Sequence, residues 1–334
     1  MDNKKTNISD VAKLAKVGKT SVSRYLNGEF NVLSDEIRDK ISSAIKALNY
    51  QPSQIARSMR KGKTKLIALI FADINNPYSI DIMQGIESAS WEYGYTLLVF
   101  NTNNELEQEK RILQSLLSYQ VEGVIIQALR THDKNFKHFS LPIVSVDRVI
   151  HQVNCDVVSL DNEQATILVV NHLLQSEFKA ILFITGTIKD IQPREKRIEV
   201  FKRVMSEHQD CYAEVIELND IKNNEILEQA INAFYKRYRH IKKAIISING
   251  ITTLNIVLAL RHLQLEWGKD IGLIGFDELV WAPVVGVGIT TLQQPTQKMG
   301  YSACKLLIER INGDLSARKT LLYPGRLIVR ESTG

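Results

Sequence analysis

The pattern of apolar and polar positions near the start of the chain predicts three short helices that share one small core. Asn7, followed three residues later by Asp10, resembles a capping box and predicts the start of a first helix. Val22 and Leu26 lie four residues apart on an otherwise polar segment, which predicts a second helix with an exposed polar side. Ser34 is the expected cap of a third helix, because apolar residues recur behind it at helical spacing.

From Lys65 onward, short apolar runs alternate with amphipathic segments. The apolar runs predict strands at Leu66–Phe71, Thr96–Phe100, Gly123–Gln127, Pro142–Val146, Ala180–Ile184, Ala213–Glu217, Ala244–Ile248 and Ile271–Gly275. The segments between them predict helices over about 78–93, 105–119, 162–176, 194–207, 222–236 and 250–264. Such alternation is typical of parallel sheets covered by helices, which bind ligands beyond the carboxyl ends of their strands. The length of this region favours two α/β lobes.

The positive charge of the chain is concentrated at its N-terminal end. Residues 1–63 hold 13 Lys and Arg against 6 Asp and Glu, a net charge of +7, whereas the remainder holds 29 against 31, a net charge of −2. A basic head on a nearly neutral body indicates a polyanionic partner such as DNA, because phosphate neutralisation is the main sequence-independent source of DNA affinity. A solvated basic tail would carry the same charge, so the charge alone leaves both interpretations open.

Composition and cysteine usage exclude several classes of protein. The 334 residues, 44% of them hydrophobic, can bury a large core, and no apolar run is long enough for a membrane span or a secretory signal. We therefore expect a cytoplasmic protein. Cys155, Cys211 and Cys304 are odd in number and widely spaced, which predicts buried, reduced thiols rather than a metal site. No cofactor is expected.

Motifs along essentially the whole chain resemble those of LacI/GalR-family regulators, in the same order. In the head these are Asn7-Ile8-Ser9-Asp10-Val11-Ala12 and Ser21-Val22-Ser23-Arg24-Tyr25-Leu26-Asn27. Beyond it lie Ala47-Leu48-Asn49-Tyr50-Gln51-Pro52, Ile55-Ala56-Arg57-Ser58-Met59, Asn76-Pro77-Tyr78, Gly275-Phe276-Asp277 and Thr290-Thr291-Leu292. The resemblance implies an α/β protein with an N-terminal helix-turn-helix head, made of three short helices plus a hinge helix, and a two-lobed sensor with parallel sheets, similar to periplasmic binding proteins.

The same resemblance implies the division of the chain into domains. The helix-turn-helix domain would span 1–52, the hinge helix and linker 53–63, and the sensor and dimerisation domain 64–334. Within the sensor, lobe one would hold about 64–161 plus 292–323, and lobe two about 162–291 plus 324–334.

In a helix-turn-helix, the second helix enters the major groove with its N-terminal residues at the base edges. By position, we assign base reading to Lys19 and Thr20. Contacts with the groove or the DNA backbone are assigned to Ser9, Ser21, Ser23, Arg24 and Asn27. The family commonly has a serine where this chain has Gly18, which offers no hydroxyl for a cap or a phosphate.

The polar segment Ser53–Arg60 is too short to form a stable helix alone in water, so we expect it to order on DNA. In the family this hinge helix lies in the minor groove and inserts a leucine, and Met59 stands at that position here. The DNA contacts expected from the hinge are Ala56, Arg57, Met59 and Arg60. The alternative to insertion into DNA is that Met59 makes a buried contact between the head and the sensor.

For the sensor, the resemblance implies a small-molecule effector in the cleft between the lobes. The ligand positions carried over are Asp73, Asn76, Tyr78, Arg148, Asp161, Arg194, Arg197, Asn249 and Asp277, with Trp281 as a flat apolar wall. Asp and Asn at strand ends suit the adjacent hydroxyls of a sugar. Each of these side chains also admits a purely structural role.

The arginines at cleft positions favour an effector with a carboxylate or phosphate, which guanidinium groups bind in fork geometry. Sugar acids fit best, and the stretch from Gly275 to Ala282 is similar to that of regulators of 2-keto-3-deoxygluconate catabolism. We thus predict a sequence-specific repressor that binds a near-palindromic operator as a homodimer and responds to a sugar or sugar acid. Induction and co-repression both remain open.

Two other classes of protein share parts of this pattern. A periplasmic sugar-binding protein would have the sensor, but it would need an export signal and no basic head. An enzyme of doubly wound fold would need a dinucleotide, nucleophile-elbow or HExxH motif, and the sequence has none of them. Gly18-Lys19-Thr20 matches the end of a phosphate-binding loop motif. The motif is incomplete, because its first glycine is replaced by Lys13. We therefore expect neither a periplasmic protein nor an enzyme.

Overall fold

The computed structural model describes residues 6–50, 63–132, 134–137, 139–218 and 224–334. The chain divides into two compact units, Met1–Lys65 and Leu66–Gly334. The first unit is the head, and the second is the two-sheet sensor.

The head consists of three helices around one small core. They are α1 (Ile8–Leu14), α2 (Lys19–Leu26) and α3 (Asp35–Ala47), with a short 3₁₀ turn at Phe30–Val32. Val11, Val22 and Ile41, one from each helix, are completely buried against one another in the core. The predicted helix starts are confirmed, since Asn7 accepts the N–H of Ser9 at 2.8 Å and the Ser34 hydroxyl accepts the N–H of Ile37 at 3.4 Å.

The sensor alternates strands and helices, as the pattern predicts. Its strands are β1 (Leu66–Phe71), β2 (Thr96–Asn101), β3 (Gly123–Ile126), β4 (Ile143–Val146), β5 (Asp156–Leu160), β6 (Ala180–Thr185), β7 (Tyr212–Glu217), β8 (Lys243–Ser247), β9 (Gly272–Phe276), β10 (Thr290–Gln293), β11 (Thr320–Tyr323) and β12 (Arg326–Ile328). Its helices are α4 (Pro77–Glu92), α5 (Leu106–Ser115), α6 (Asn162–Gln175), α7 (Gln192–Ser206), α8 (Asn224–Arg237), α9 (Gly250–His262) and α10 (Thr296–Ile311), with a 3₁₀ turn at Lys134–Phe136.

Two six-stranded sheets organise the sensor. The first has the order β11-β5-β4-β3-β1-β2 and is entirely parallel. The second has the order β12-β10-β9-β8-β6-β7 and is parallel except for the antiparallel pair β10 and β12. We call the parts built on these sheets lobe one and lobe two. The chain passes between them three times, from β5 to α6, from β10 to α10 and from β11 to β12.

All eight strands predicted from apolar runs are present, and their ends agree with the predictions to within one residue. One predicted helix is too long: α5 ends at Ser115 instead of continuing to about residue 119. The Ser115 hydroxyl donates to the carbonyl of Ile112, and the chain then turns towards Gln120, whose φ is +52°. The edge strands β11 and β12, the inner strands β5 and β10 and helix α10 were not among the predicted elements.

Helices α4 and α10 of lobe one touch backbone to backbone. A Cβ atom at Gly85 would collide with the carbonyl oxygen of Gln297, and one at Gly300 would collide with the carbonyl oxygen of Ile82. Glycine is therefore required at both positions for this spacing. The contact matters for function because α4 begins at Asn76 and α10 begins just after Gln294, and both residues line the cavity described below.

A buried ion pair ties α10 to strand β5. The guanidinium of Arg310 donates from Nε and Nη2 to the two carboxylate oxygens of Asp156, at 2.8 Å each. Arg310 also donates to backbone carbonyls of the turn after α10, at Asp314, Ser316 and Ala317. The Asp156 side chain is fully buried, so this pair fixes the end of α10 to the sheet of lobe one.

Cys155 and Cys304 are buried free thiols, as predicted, while Cys211 is a free thiol that is only partly buried. Burial raises the pKa of the Cys304 thiol to about 12 and that of Cys155 to about 11. Among the described helices, none is both long and apolar enough to cross a membrane.

Candidate functional site

The first candidate surface is the exposed side of α2 in the head. Val22 is completely buried, so the opposite side of this short helix faces outward. The side chains of Lys19, Thr20, Arg24 and Asn27 are exposed, and those of Ser9, Ser21 and Ser23 are partly buried. The helix begins at Gly18 without a side-chain cap, as the sequence predicts. Its first turn therefore presents a cation and hydroxyl groups together. The hinge residues Ala56, Arg57, Met59 and Arg60 lie outside the described residues.

The second candidate site is a cavity between the two lobes, with about 680 Å³ of empty space that includes part of the open mouth. Eight of the ten predicted effector residues line it: Asp73, Asn76, Tyr78, Arg148, Arg194, Arg197, Asn249 and Asp277. Asp277 directly follows β9, and Asp73, Arg148 and Asn249 lie two residues beyond the ends of β1, β4 and β8, which is where parallel sheets place ligands.

Two predicted effector residues lie elsewhere. The Asp161 carboxylate caps α6 by accepting the N–H of Gln164 at 3.0 Å. Trp281 packs on the hydrophobic core of lobe two, in the loop after β9, and is not part of the cavity lining. The structure thus gives both side chains a packing or capping role.

Several lining residues were missed by the sequence reasoning. They are Ala72, Asn104, Gln127, Asp147, Ile191, Pro193, Ile248, Ile251 and Gln294. Gln127, Asp147 and Gln294 each follow a strand directly, so a search for every polar residue at a strand end would have found them. Asp147 and Asp277 both adopt a left-handed backbone conformation, with φ of 71° and 77°. This conformation makes the backbone turn sharply at the cavity after β4 and after β9.

The three lining arginines are anchored in the same way. In each guanidinium, Nη1 donates to a backbone carbonyl, while Nη2 makes no hydrogen bond to any described residue. The acceptors are Ala128 at 2.8 Å and Leu129 at 3.1 Å for Arg148, Thr187 at 2.7 Å for Arg194, and Ile248 at 2.7 Å for Arg197. Carbonyl oxygens orient a guanidinium without cancelling its charge.

The guanidinium charges are only weakly compensated by the protein. The nearest carboxylate contact is between Arg148 Nε and Asp147, at 4.0 Å. Burial lowers the pKa of Arg148 and of Arg197. Burial, together with repulsion by those two neighbours, lowers the pKa of Arg194 to about 10. The three groups remain cations at neutral pH. Arg148 and Arg197 are buried, and Arg194 is partly exposed at the same cavity, an arrangement that favours an anion.

Asp277 connects three elements at the floor of the cavity. One carboxylate oxygen accepts the N–H of Gly250 at 3.0 Å, at the start of α9, and the other accepts the side-chain amide of Gln294 at 2.6 Å. Its backbone N–H donates to the carbonyl of Leu292 at 3.0 Å. Burial raises the pKa of Asp277. The nearby charge of Arg197 and the hydrogen bonds from Gly250 and Gln294 act in the opposite direction, but the net pKa is still raised.

Three buried polar atoms of the lining have no hydrogen-bond partner in the described part of the chain. They are the Tyr78 hydroxyl, Arg148 Nε and Gln294 Oε1. Burial also raises the pKa of Tyr78 well above its usual range, so its hydroxyl stays protonated. Because unpaired buried polar groups are unfavourable, their convergence on one cavity indicates a polar ligand.

Comparison with known sequences identifies both parts of the chain. Residues 7–53 match the bacterial regulatory proteins of the lacI family, and residues 64–331 match the periplasmic binding proteins and sugar binding domain of the LacI family. The HTH-type transcriptional regulator PtxS of Pseudomonas aeruginosa is 37% identical over 328 residues, covering 98% of this chain and 95% of PtxS. The HTH-type transcriptional regulator KdgR of Bacillus subtilis is 34% identical over 331 residues, covering 98% of this chain and 97% of KdgR.

Solved structures show the same fold. The Lac repressor bound to ONPG superposes with a TM-score of 0.85 at 22% identity, over 98% of this chain and 100% of that one. A LacI-type regulator of Alkaliphilus metalliredigens, complexed with D-xylulofuranose, gives 0.71 at 26% identity, over 80% and 98% of the two chains. The predicted two-lobed α/β fold with a helix-turn-helix head is confirmed. The chain belongs to the LacI family of bacterial regulatory proteins, and it is a DNA-binding transcriptional regulator rather than an enzyme.

Proposed function

We propose that this regulator is a cytoplasmic repressor, that it binds a near-palindromic operator as a homodimer, and that a sugar acid such as 2-keto-3-deoxygluconate controls its operator affinity from the cavity between the lobes. The observation that carries the effector assignment is the set of three guanidinium groups, Arg148, Arg194 and Arg197. All three donate to backbone carbonyls, and none donates to a carboxylate of any residue that the structure describes. A carboxylate of the ligand would accept hydrogen bonds from the guanidinium nitrogens that have no acceptor among the described residues.

The rest of the lining supports a hydroxyl-rich molecule. The carboxylates of Asp73 and Asp277 accept hydrogen bonds from neutral donors of the protein, and each has lone pairs left for hydroxyl groups. The family description names sugar binding, and the Alkaliphilus metalliredigens relative was solved with a sugar. Hydroxyl groups together with a carboxylate define a sugar acid.

On the DNA side, we assign base reading to Lys19 and Thr20 and backbone or groove contacts to Arg24 and its neighbours on α2. The exposure of Lys19 and Thr20 at the first turn of α2 supports this assignment, because that end of a recognition helix meets the base edges. The proposed domains are 1–52 for the head, 53–63 for the hinge and 64–334 for the sensor.

The proposed coupling follows from where the effector lies. Tyr78 and Arg148 come from lobe one, whereas Arg197 and Asp277 come from lobe two, so a ligand that contacts both sets changes the balance between lobe arrangements. That change alters the spacing of the two heads in a dimer and thus operator affinity. A coupling free energy of about 1–3 kcal/mol would modulate operator affinity roughly 5- to 150-fold.

The test is a ligand titration of the full chain. Isothermal titration with 2-keto-3-deoxygluconate and D-gluconate, compared with D-glucose and D-xylulose, should give heat only with the acids. Arg194→Met and Arg197→Met should weaken acid binding by about 10-fold or more, since each removes a charge-assisted hydrogen-bond donor. The matched control is Arg203→Met, on the same helix α7, because Arg203 is half exposed and pairs with Glu163 at 2.7 Å.

Gel shifts with operator DNA complete the test. Release of the operator on addition of the acid means induction, and tighter binding means co-repression. Binding of neutral sugars alone, with no effect of the Arg194 and Arg197 substitutions, would refute the sugar-acid assignment.

A further inference from the structure

Glu109 is a buried carboxylate that lies outside the cavity. It belongs to α5 of lobe one, 0% of the residue is exposed, and it is not part of the cavity lining. Burying a carboxylate is unfavourable unless hydrogen bonds and opposite charges compensate for it. The contacts of Glu109 therefore indicate what its burial achieves.

One peptide group connects Glu109 with Arg148. Glu109 Oε2 accepts the N–H of Leu129 at 2.9 Å, and the carbonyl of Ala128 accepts Arg148 Nη1 at 2.8 Å. This N–H and this carbonyl belong to the same peptide unit, the one that joins Ala128 to Leu129. In a trans peptide the two groups point in opposite directions. The carboxylate and the guanidinium therefore lie on opposite sides of one peptide group.

This arrangement stabilises the cation of Arg148. An anion at the N–H end and a cation at the carbonyl end polarise the peptide in the same sense, so each hydrogen bond strengthens the other. Burial lowers the pKa of Arg148, and the charges of Asp147 and Glu109 oppose that effect. Glu109 thus favours the charged form of a residue that lines the cavity.

The same contact restricts the orientation of the guanidinium. Arg148 Nη1 also donates to the carbonyl of Leu129 at 3.1 Å, so both of its backbone acceptors lie in the segment that Glu109 binds. The Ala128 and Leu129 side chains are themselves buried. Without an acceptor at Glu109, the peptide can rotate, and its carbonyl then leaves Arg148.

We infer that Glu109 is a positioning residue for the effector site: by binding the Ala128–Leu129 peptide group, it fixes the guanidinium of Arg148 in the orientation that receives the ligand. This inference rests on the proposed function only in taking the cavity as the effector site. A side chain that is already fixed loses less conformational entropy when the ligand binds. Glu109 therefore raises effector affinity from outside the cavity.

The first test is titration calorimetry of the full chain with 2-keto-3-deoxygluconate. Glu109→Leu removes both the acceptor and the charge and should weaken binding about 5- to 20-fold. Glu109→Gln keeps an acceptor and loses only the charge, so its loss should be smaller, about 2- to 5-fold. The matched control is Glu107→Gln, because Glu107 is an exposed residue of α5 that lies 3.9 Å from Lys110. It should bind like the wild type.

A double-mutant cycle with Arg148→Met shows whether Glu109 acts through Arg148. In the Arg148→Met background, Glu109→Leu should cause no further loss of affinity, because the side chain that it positions is gone. A general structural role would give the same loss in both backgrounds, and that result would overturn the inference. Far-ultraviolet circular dichroism checks the folding of each protein, and Glu109→Gln replaces Glu109→Leu in the cycle if the leucine variant does not fold.

A crystal structure of Glu109→Leu without ligand gives an answer that does not depend on the identity of the effector. The bond of 2.8 Å between Arg148 Nη1 and the Ala128 carbonyl should be lost in this variant. If the peptide and the guanidinium keep their positions, Glu109 does not position Arg148.

The outcomes separate this inference from the proposed function. If sugar acids bind the wild type and both Glu109 variants equally well, the positioning role is overturned and the sugar-acid assignment stands. If only neutral sugars bind, the sugar-acid assignment fails, and the same cycle with the sugar that binds decides the role of Glu109. If neither class binds, the cavity is not the effector site and both fail.

Discussion

The guanidinium carbon of Arg197 lies 3.9 Å from the centroid of the Phe276 ring, so a buried cation rests on the face of an aromatic side chain at the end of β9. Arg197 Nε also donates to the side-chain oxygen of Asn162, at 2.7 Å, on α6. Asn162 is buried but does not line the cavity. The ring and the amide together hold the remaining guanidinium nitrogen towards the cavity.

We therefore predict that Asn162→Ala weakens effector binding although Asn162 does not contact the ligand. Loss of the Nε acceptor frees the arginine to adopt other rotamers, and we expect affinity to fall about 3- to 10-fold, measured by titration calorimetry. Asn162→Asp keeps the acceptor but gives Arg197 a carboxylate partner and loses the bond that the Asn162 amide donates to Leu160, so affinity for an acid should stay low. Equal affinity in wild type and Asn162→Ala would show that Phe276 and the Ile248 carbonyl are enough to position the guanidinium.

Lys19 and Arg24 should affect DNA binding in different ways. Lys19→Ala is expected to lower operator affinity about 5- to 100-fold and to relax the preference at one base pair, since a base contact carries sequence information. Arg24→Ala should weaken binding to operator and random DNA alike and reduce the salt dependence, as a phosphate contact does.

Fluorescence anisotropy with operator and scrambled duplexes, each at several salt concentrations, distinguishes these two effects. Lys40→Ala is the control in the head, because Lys40 lies on α3 and pairs with Glu36 at 2.6 Å. A uniform loss for Lys19→Ala on both duplexes would remove Lys19 from the base-reading set.

Gly85→Ala should destabilise the sensor. The added methyl group would collide with the Gln297 carbonyl, so α4 and α10 must separate, at a cost of about 1–3 kcal/mol by the usual effect of overpacking. Urea denaturation measures the loss, and Ser88→Ala on the exposed side of α4 is the control. Effector binding should weaken as well, because both helices begin at the cavity. An unchanged denaturation midpoint would mean that the two helices can move apart freely.

The buried pair of Asp156 and Arg310 predicts a specific dependence of stability on pH. Burial raises the pKa of Asp156, but the hydrogen bonds and charges of Arg310, Lys319 and Arg318 outweigh it, and the net pKa is lowered. A lowered pKa in the folded state contributes stability above the unfolded value of about 4, and this contribution disappears as pH falls through the folded pKa.

Asp156→Asn should therefore destabilise the sensor by about 3–5 kcal/mol at pH 7, because it leaves the Arg310 charge buried without its partner. The difference between wild type and variant should shrink below about pH 4, as Asp156 of the wild type becomes protonated. Urea denaturation at pH 7 and at pH 3 measures both quantities. Glu309→Gln, which removes a half-exposed partner of Lys319, should have a small effect at either pH. A constant difference at both pH values would contradict the pKa assignment.

The sequence predicts the parts of the fold in which local pattern and tertiary environment agree. The apolar runs of β1, β3, β4, β6, β8 and β9 are buried on both faces, so they stand out from their surroundings. Strands β11 and β12 are short and half exposed at sheet edges, and their residues carry no comparable signal. Their pairing with β5 and β10 depends on chain crossings that local periodicity does not encode.

The candidate site, too, could be predicted from the sequence only in part. Residues that follow a strand and fit a family motif, such as Asn76, Asn249 and Asp277, were found from the sequence. Gln294 was missed although it directly follows β10, and its hydrogen bond to Asp277, 17 positions away, is a tertiary contact that no local pattern encodes. Asp161 was selected from the resemblance to the family, and in the structure its carboxylate accepts the N–H of Gln164 at the start of α6.

The three crossings also determine the order in which a nascent chain can acquire its structure. Until the residues from Thr296 onward leave the ribosome, lobe one lacks both α10, which packs on Ile82 and Ile86, and its edge strand β11. The sheet of lobe two is incomplete for even longer, because β12, which pairs with β10, is synthesised after β11. Co-translational folding of either lobe is therefore incomplete until β11 and β12 have emerged, and the sheet formed before then exposes apolar surface that chaperones recognise.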